Sequence, residues 1–218
     1  MSQTTVSTQR TTDRLLACGI AAGPLYIAVV LGQVLTRDGF DLTRHSASIL
    51  ANGDQGWIQI SNFLVAGALT IAAAVGLRRA LGEGTGRTWG PRMLGLFGVG
   101  LLGAAVFRAD PALGFPVGTP ADYNEVSWHG MLHLVVGAVG FIGLIAACLI
   151  VARRFRSRGR RGLAAYSTTS GVLFGAAFVG IAAGAGRPAF TVGFAVAVVI
   201  GWAWVAVTSA YVRSHGDI

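Results

Sequence analysis

The chain has 218 residues, of which 53% are hydrophobic and only 12% are charged. Its mean hydropathy is +0.63, whereas an average soluble domain is about 25% charged, so a soluble, disordered or collagen-like protein is excluded. All 17 basic residues are arginines, and because they flank apolar stretches, the net charge of +8 indicates membrane topology and not nucleic-acid binding. The length accommodates several membrane spans with short loops, but no second domain.

Six apolar stretches approach the length of about 20 residues that a helix needs to cross a bilayer. They are residues 15–35, 57–77, 91–109, 129–151, 163–184 and 189–211. The sequence therefore predicts an all-α fold, an integral membrane bundle of six transmembrane helices within residues 14–212. Residues 1–13, rich in Ser, Thr and Gln, are predicted to form a disordered cytoplasmic tail, and residues 213–218 a second cytoplasmic tail.

The distribution of arginine predicts the orientation of the bundle. Short cytoplasmic loops are enriched in basic residues, and most of the arginines fall on one side of the predicted spans. Those on the other side are Arg37, Arg44, Arg108 and Arg187. Trp57 and Trp128 open the second and fourth spans on that other side, where tryptophan favours the membrane interface. Both termini are therefore predicted to be cytoplasmic, in a multi-pass protein of the cell membrane.

Small residues recur at four-residue spacing inside the predicted spans. The pairs are Gly19 with Gly23, Gly171 with Gly175, and Gly180 with Gly184. This spacing lets helix backbones approach closely in lipid. Residues 98–103 match the dinucleotide-binding pattern GxGxxG, but they lie inside a span instead of after a strand, so helix packing is predicted for these glycines as well.

Gln59 and Asn62 are one helical turn apart on one face of the second span, near its outer end. Amide groups at that depth require partners within the protein. Two interpretations are open: hydrogen bonds between helices, worth about 0.6 to 2 kcal/mol, or the lining of a functional cavity.

His129 and His133 lie four residues apart at the start of the fourth span, where two imidazoles can bind one metal ion. A metal centre needs a further ligand, and the glutamate of the HExxH motif is absent. Candidates on the same side are His45, Asp110, Asp122 and Glu125. Structural hydrogen bonding and metal-free proton transfer or ligand contact are the other interpretations. We predict no bound metal, with a set of His45, His129 and His133 as the alternative.

Two arginines on the outer side have a carboxylate close by in sequence. Arg44 follows Asp41, and Arg108 precedes Asp110. Such pairs favour ion pairs that hold the loops to the helix ends. A guanidinium group also matches the geometry of phosphate, so a clamp for a lipid phosphate is the second interpretation.

The outer segments resemble the bacterial membrane family known as domain of unknown function 998 (DUF998). The resemblance rests on GFDLTRH (39–45) and GWIQISNF (56–63), on FRADP (107–111) and GFPVGTP (114–120), and on SWHGMLH (127–133). It covers about residues 14–212. What it implies is a multi-pass membrane protein, usually with six helices; it implies no activity, cofactor or catalytic residue.

The concentration of polar residues on one side predicts an outward-facing pocket that binds or processes a lipid or a small molecule. Its candidate residues are Arg44, His45, Gln59, Asn62, Arg108, Asp110, His129 and His133. Membrane lipids are the expected partners, and nucleic acid is not one. A transporter and a structural or accessory subunit are the alternatives. The sequence identifies no reaction, cofactor or oligomeric state.

Overall fold

A computed structural model describes residues 3–123, 125–184 and 186–216. Within these ranges the regular structure is helical, apart from one isolated bridge between Ala112 and Phe115. Six helices are long and apolar enough to cross a membrane, which confirms the predicted fold class. They are α1 (Gln3–Thr36), α2 (Gly56–Ala80), α3 (Trp89–Val106), α4 (Trp128–Ser157), α5 (Arg161–Gly184) and α6 (Pro188–His215), with a short 3-10 helix (Ala47–Ala51) between α1 and α2.

The six helices form a closed ring. Each helix packs on its neighbours in sequence, and α6 packs on α1. Neighbouring helices run in opposite directions: Gly76 near the end of α2 lies against Leu15 in α1, whereas Gln59 near the start of α2 bonds to Gln33 near the end of α1. The bundle therefore has two distinct ends. We call one the loop end, which carries residues 37–55 and 107–127, and the other the arginine end, which carries residues 81–88 and 158–160. Both α1 and α6 have their outer termini at the arginine end.

The helix boundaries depart from the prediction most at the two ends of the chain. The structure continues α1 back to Gln3, so residues 3–13 of the predicted disordered tail are helical. The hydroxyls of Thr11 and Thr12 donate to carbonyls one turn earlier, at 3.0 and 3.2 Å, and therefore add bonds within the helix. At the other end, α6 continues to His215, inside the second predicted tail. Residues 1, 2, 217 and 218 lie outside the described residues.

The glycines at four-residue spacing lie where helices meet. A Cβ on Gly19 would overlap Ser209 of α6, and one on Gly23 would come 2.9 Å from the Cβ of Trp202. Within the GxGxxG pattern, a Cβ on Gly100 would be 2.7 Å from the Cα of Gly140. These contacts explain the glycines by close packing, as predicted for a bundle in lipid.

A buried arginine stabilises the arginine end. Arg154 of α4 has no exposed surface, and its guanidinium group donates to the carbonyls of Thr85 at 2.9 Å and Gly82 at 3.1 Å. Hydrogen bonds from a charged donor are stronger than neutral ones. Arg154 therefore fixes the α2–α3 connection to α4, and the exposed Arg158 adds a longer bond to the carbonyl of Glu83 in the same connection, at 3.3 Å.

Candidate functional site

His45 joins the two loops of the loop end. Its ring is 2% exposed and lies among Phe40 and Phe115. The N–H of Asp41 donates to Nδ1 at 2.9 Å, so the ring proton lies on Nε2, which donates to the carbonyl of Leu113 at 3.1 Å. Both nitrogens of this neutral imidazole are occupied. His45 therefore holds residues 37–55 against residues 107–127.

Arg37 and Asn52 add further bonds within this loop framework. Arg37 donates to the carbonyls of Leu50 at 3.2 Å and Asn52 at 2.6 Å, and its guanidinium carbon lies 5.2 Å from the ring centre of Phe115. The Asn52 side chain, 8% exposed, donates across to the carbonyl of Ala109 at 3.0 Å. Partial burial lowers the pKa of Arg37, while the carboxylate of Asp54 acts in the opposite direction.

Asp110 caps the start of α4. Its carboxylate accepts from the N–H of Ser127 at 2.9 Å and from the Ser127 hydroxyl at 2.5 Å. The same hydroxyl accepts from the N–H of Gly130 at 3.0 Å. Backbone N–H groups in the first turn of a helix lack partners within the helix, and a negative charge there is favourable. Asp110 and Ser127 together meet that requirement.

His133 stabilises the end of α3. Its Nδ1 lies 2.8 Å from the carbonyl of Phe107, so this nitrogen carries the proton and donates. Phe107 follows the last residue of α3, where carbonyl groups lack partners within the helix. The side chain is 8% exposed. His133 therefore joins α4 to α3 just below the loop end.

His129 differs from the other two histidines of the loop end. Its Nδ1 is buried, yet it has no hydrogen-bond partner. The ring lies 3.7 Å from the indole of Trp128 and 6.1 Å from the ring of Phe107, centre to centre. Trp128 itself is 65% exposed, as expected for a residue at the membrane interface. His129 therefore lies in the first turn of α4 with its Nδ1 unsatisfied.

The two outer arginines with nearby carboxylates form no ion pair with them in the described part of the chain. The carboxylate of Asp110 is bonded to Ser127 instead of Arg108, and that of Asp41 to Thr43. Arg44 and Arg108 are both exposed. Neither arginine therefore forms a close ion pair with its nearby carboxylate, although the charge of Arg44 still helps to lower the pKa of Asp41, after the bonds from Thr43.

Gln59 and Asn62 belong to an amide cluster in the bundle interior, together with Gln33 of α1. The Gln59 side-chain oxygen accepts from Gln33 at 2.9 Å and from Asn62 at 3.3 Å, and Asn62 also donates to the carbonyl of Tyr26 at 3.2 Å. These bonds join α2 to α1, which agrees with the interpretation of Gln59 and Asn62 as a contact between helices. Gln59 lies about one helical turn and Asn62 nearly two turns from the start of α2, and their polar groups are directed toward α1.

An apolar groove of about 400 Å³ lies between α3 and α4. Its walls include Val99, Gly103, Val106, Phe107, Val135 and Val139. These residues belong to the half of the bundle nearest the loop end, and Val99 is 54% exposed on the surface of the ring. The groove therefore faces the region that hydrocarbon chains occupy, and Phe107 connects its wall to Arg108 and His129.

A metal centre is not formed by the residues that the structure describes. Among them, no three or more His, Cys, Asp or Glu side chains are grouped so that they could hold a metal ion. The structure does not group His45, His129 and His133 in this way. His45 and His133 instead use ring nitrogens to hold backbone carbonyls.

The sequence did not single out several residues on which this arrangement depends. They are Gln33, Arg37, Asn52 and Ser127. Gln33 carries a recognisable signal, because it is an isolated amide near the end of an apolar stretch. Arg37 and Asn52 bind backbone carbonyls, and no side-chain pattern marks such partners.

Comparison with known proteins places the chain in a family. The model of the family described as Protein of unknown function (DUF998) matches residues 20–211. No curated protein and no solved structure matches the chain. Because the family match covers most of the chain and agrees with the six membrane-spanning helices, the protein belongs to the DUF998 family.

Proposed function

We propose that this membrane protein binds a phospholipid at the loop end, with one acyl chain in the α3–α4 groove and the phosphate beside Arg108 and His129. The observation that carries the proposal is the juxtaposition at Phe107. This residue lines the groove, precedes the exposed Arg108, and lies 6.1 Å from the His129 ring. Apolar and cationic parts of one ligand would meet at this point.

The groove suits an acyl chain because its walls are apolar and open toward lipid. Apolar burial gives no net attraction within a bilayer, so a bound chain is held by close packing. Val99 of α3 and Val135 of α4 both line the groove, while Gly103 lets Val136 of α4 pack closely on α3 beneath it. Shape complementarity in this groove therefore selects the chain but contributes modestly to affinity.

The polar end of the site supplies the recognition of the head group. Arg108 is exposed and free of ion pairs among the described residues, and guanidinium binds phosphate through parallel hydrogen bonds. The Nδ1 of His129 is buried without a partner, so contact with the head group falls to Nε2 of this ring. The exposed Trp128 supports a depth near the head groups. The site would thus prefer an anionic lipid to a neutral one.

The remaining predicted pocket residues have a different part in this proposal. His45, Asp110 and His133 hold loops and helix ends by hydrogen bonds. Their contribution is to keep Phe107 and the start of α4 in place. We therefore assign lipid contact to Arg108 and His129, and a positioning role to the other three.

Native mass spectrometry of the purified protein with phosphatidylglycerol tests this proposal. The variants Arg108→Gln and Val99→Phe should each reduce the fraction of protein that retains lipid. Matched controls are Arg44→Gln, an exposed arginine in the first loop, and Val179→Phe, a 66% exposed valine of α5 outside the groove. Equal lipid retention in all four variants and the wild type would refute lipid binding at this groove.

A further inference from the structure

The amide cluster of Gln33, Gln59 and Asn62 contains more hydrogen-bonding groups than its members can satisfy. The three side chains are between 0% and 4% exposed. Within the cluster, the Gln33 oxygen, the Gln59 nitrogen and the Asn62 oxygen are buried without a partner. The unsatisfied set is therefore two acceptors and one donor.

Exchanging the oxygen and nitrogen of the amides does not remove these unsatisfied groups. Asn62 must present its nitrogen to the carbonyl of Tyr26, which can only accept. Since the same nitrogen donates to Gln59, Gln59 must present its oxygen, and Gln33 must then present its nitrogen. The backbone carbonyl of Tyr26 thus determines the orientation of all three amides.

An unsatisfied polar group in a bundle interior costs about 1 to 3 kcal/mol, so three of them in one cluster require an explanation. The Tyr26 side chain lies beside Gln59. The bond lengths of an amide separate its oxygen and nitrogen by about 2.2 Å. Each unsatisfied atom therefore lies within about 5.5 Å of the shared Gln59 oxygen.

We propose that this cluster is a binding site for ordered water. A water molecule donates two hydrogen bonds and accepts two, so it complements two acceptors and one donor. Buried waters typically make about three such bonds to polar groups that are otherwise unsatisfied. Gln33 and Gln59 lie about one turn, and Asn62 nearly two turns, from the loop-end termini of α1 and α2, so the loop end is the nearer source of water. This site is independent of lipid binding at the α3–α4 groove.

Radiolytic hydroxyl labelling tests the proposal in the purified full-length protein. X-ray pulses generate radicals from bound water, which modify adjacent side chains even when these are buried. Tyr26 contacts the cluster, and Trp202 lies 5.2 Å from the Tyr26 ring. Both should be modified. Trp204 of the same helix, which is 0% exposed and bonded to Ser167 at 2.9 Å, is the control and should stay unmodified.

A variant that removes the polar groups provides the second comparison. In Gln33→Met/Gln59→Met/Asn62→Leu, the modification of Tyr26 and Trp202 should be lost. Labelling that persists in the folded variant would overturn the proposal. If the variant does not fold, the wild-type comparison decides alone: a Tyr26 that is as unreactive as Trp204 would show that no water is bound there.

Discussion

Gly130 lies directly against the carboxylate of Asp110, and a Cβ on Gly130 would overlap that carboxylate. The same carboxylate accepts two hydrogen bonds from Ser127. The absence of a side chain at residue 130 therefore allows Asp110 to cap α4. The cap that Asp110 provides for α4 therefore requires glycine at position 130.

The Gly130→Ala variant should lower the free energy of unfolding by about 1 to 3 kcal/mol, because an added methyl group in a packed site forces its neighbours apart. The Asp110 carboxylate is the group that would move. Thermal unfolding in detergent measures the effect. Gly137→Ala is the matched control on the same helix, since a Cβ there meets nothing within 4 Å. Equal destabilisation by both variants would contradict this explanation.

His45→Phe should separate the aromatic packing of His45 from its hydrogen bonds. A phenyl ring keeps the contact with Phe40 and Phe115, but it leaves the N–H of Asp41 and the carbonyl of Leu113 without their partner. We expect a loss of about 1 to 3 kcal/mol. Hydrogen exchange should become faster in residues 37–55 and 107–127 and stay unchanged in α5.

His215→Phe is the control for that experiment, because His215 is exposed at the arginine end and stacks on Tyr211 at 4.2 Å. Its exchange pattern at the loop end should match that of the wild type. Unchanged exchange in both loops of His45→Phe would mean that the imidazole does not join them.

Arg154→Lys should destabilise the protein by about 2 kcal/mol, because an ammonium group lacks the fork that serves two carbonyls at once. The carbonyls are those of Gly82 and Thr85. Arg153→Lys is the neighbouring control, since Arg153 is exposed. The two variants are compared by thermal unfolding in the same detergent. Equal midpoint temperatures of unfolding would contradict a stabilising role that is specific to Arg154.

The pH dependence of the first loop follows from Asp41. The hydroxyl and N–H of Thr43 donate to its carboxylate at 2.7 and 2.8 Å and lower the pKa of Asp41. Because the folded-state pKa is lowered, this stabilisation is present above the unfolded-state pKa and is lost as the pH falls through the folded value. Thr43→Val should raise the pKa of Asp41, as measured by carboxyl NMR titration. Thr36→Val, whose hydroxyl bonds to Gly32, should leave it unchanged.

The arginine end is expected to face the cytoplasm. Reporter fusions after Leu50, Thr85, Pro120 and Ser157 should report outside, inside, outside and inside, and a C-terminal fusion should report inside. An externally active C-terminal reporter would contradict both the orientation and the location of the two termini on the same side as the arginines.

The six helices were predictable because bilayer thickness sets a length that apolar stretches of this chain nearly match. The C-terminal end of α3 was not predictable in this way. The predicted span continued to Ala109, but α3 ends at Val106, where Phe107 donates its N–H to Gly103 at 2.8 Å. A helix end within a few residues depends on capping contacts, and here the cap includes His133 from another helix.

The hydrogen-bond partners of the candidate site residues were harder to predict than the helices. His133 and His45 were selected as reactive groups because imidazole is versatile, yet their partners are the carbonyls of Phe107 and Leu113. Every residue carries a carbonyl group, so the sequence contains no mark of these partners. The partners of Gln59 and Asn62 were easier to predict, because an amide in an apolar helix has few alternatives to bonding with a neighbouring helix.

The contact of α6 with α1 has a consequence for biogenesis. The other principal interfaces of the ring join helices that are adjacent in the chain, so they can form pairwise as successive segments enter the bilayer. The α1–α6 interface must wait for the last segment. Until then, the surfaces of Gly19 and Gly23 that later meet Ser209 and Trp202 face lipid or the insertion machinery. In a chain truncated before α6, the other helix pairs could still assemble, but the surface of α1 around Gly19 and Gly23 would have no helix packed on it.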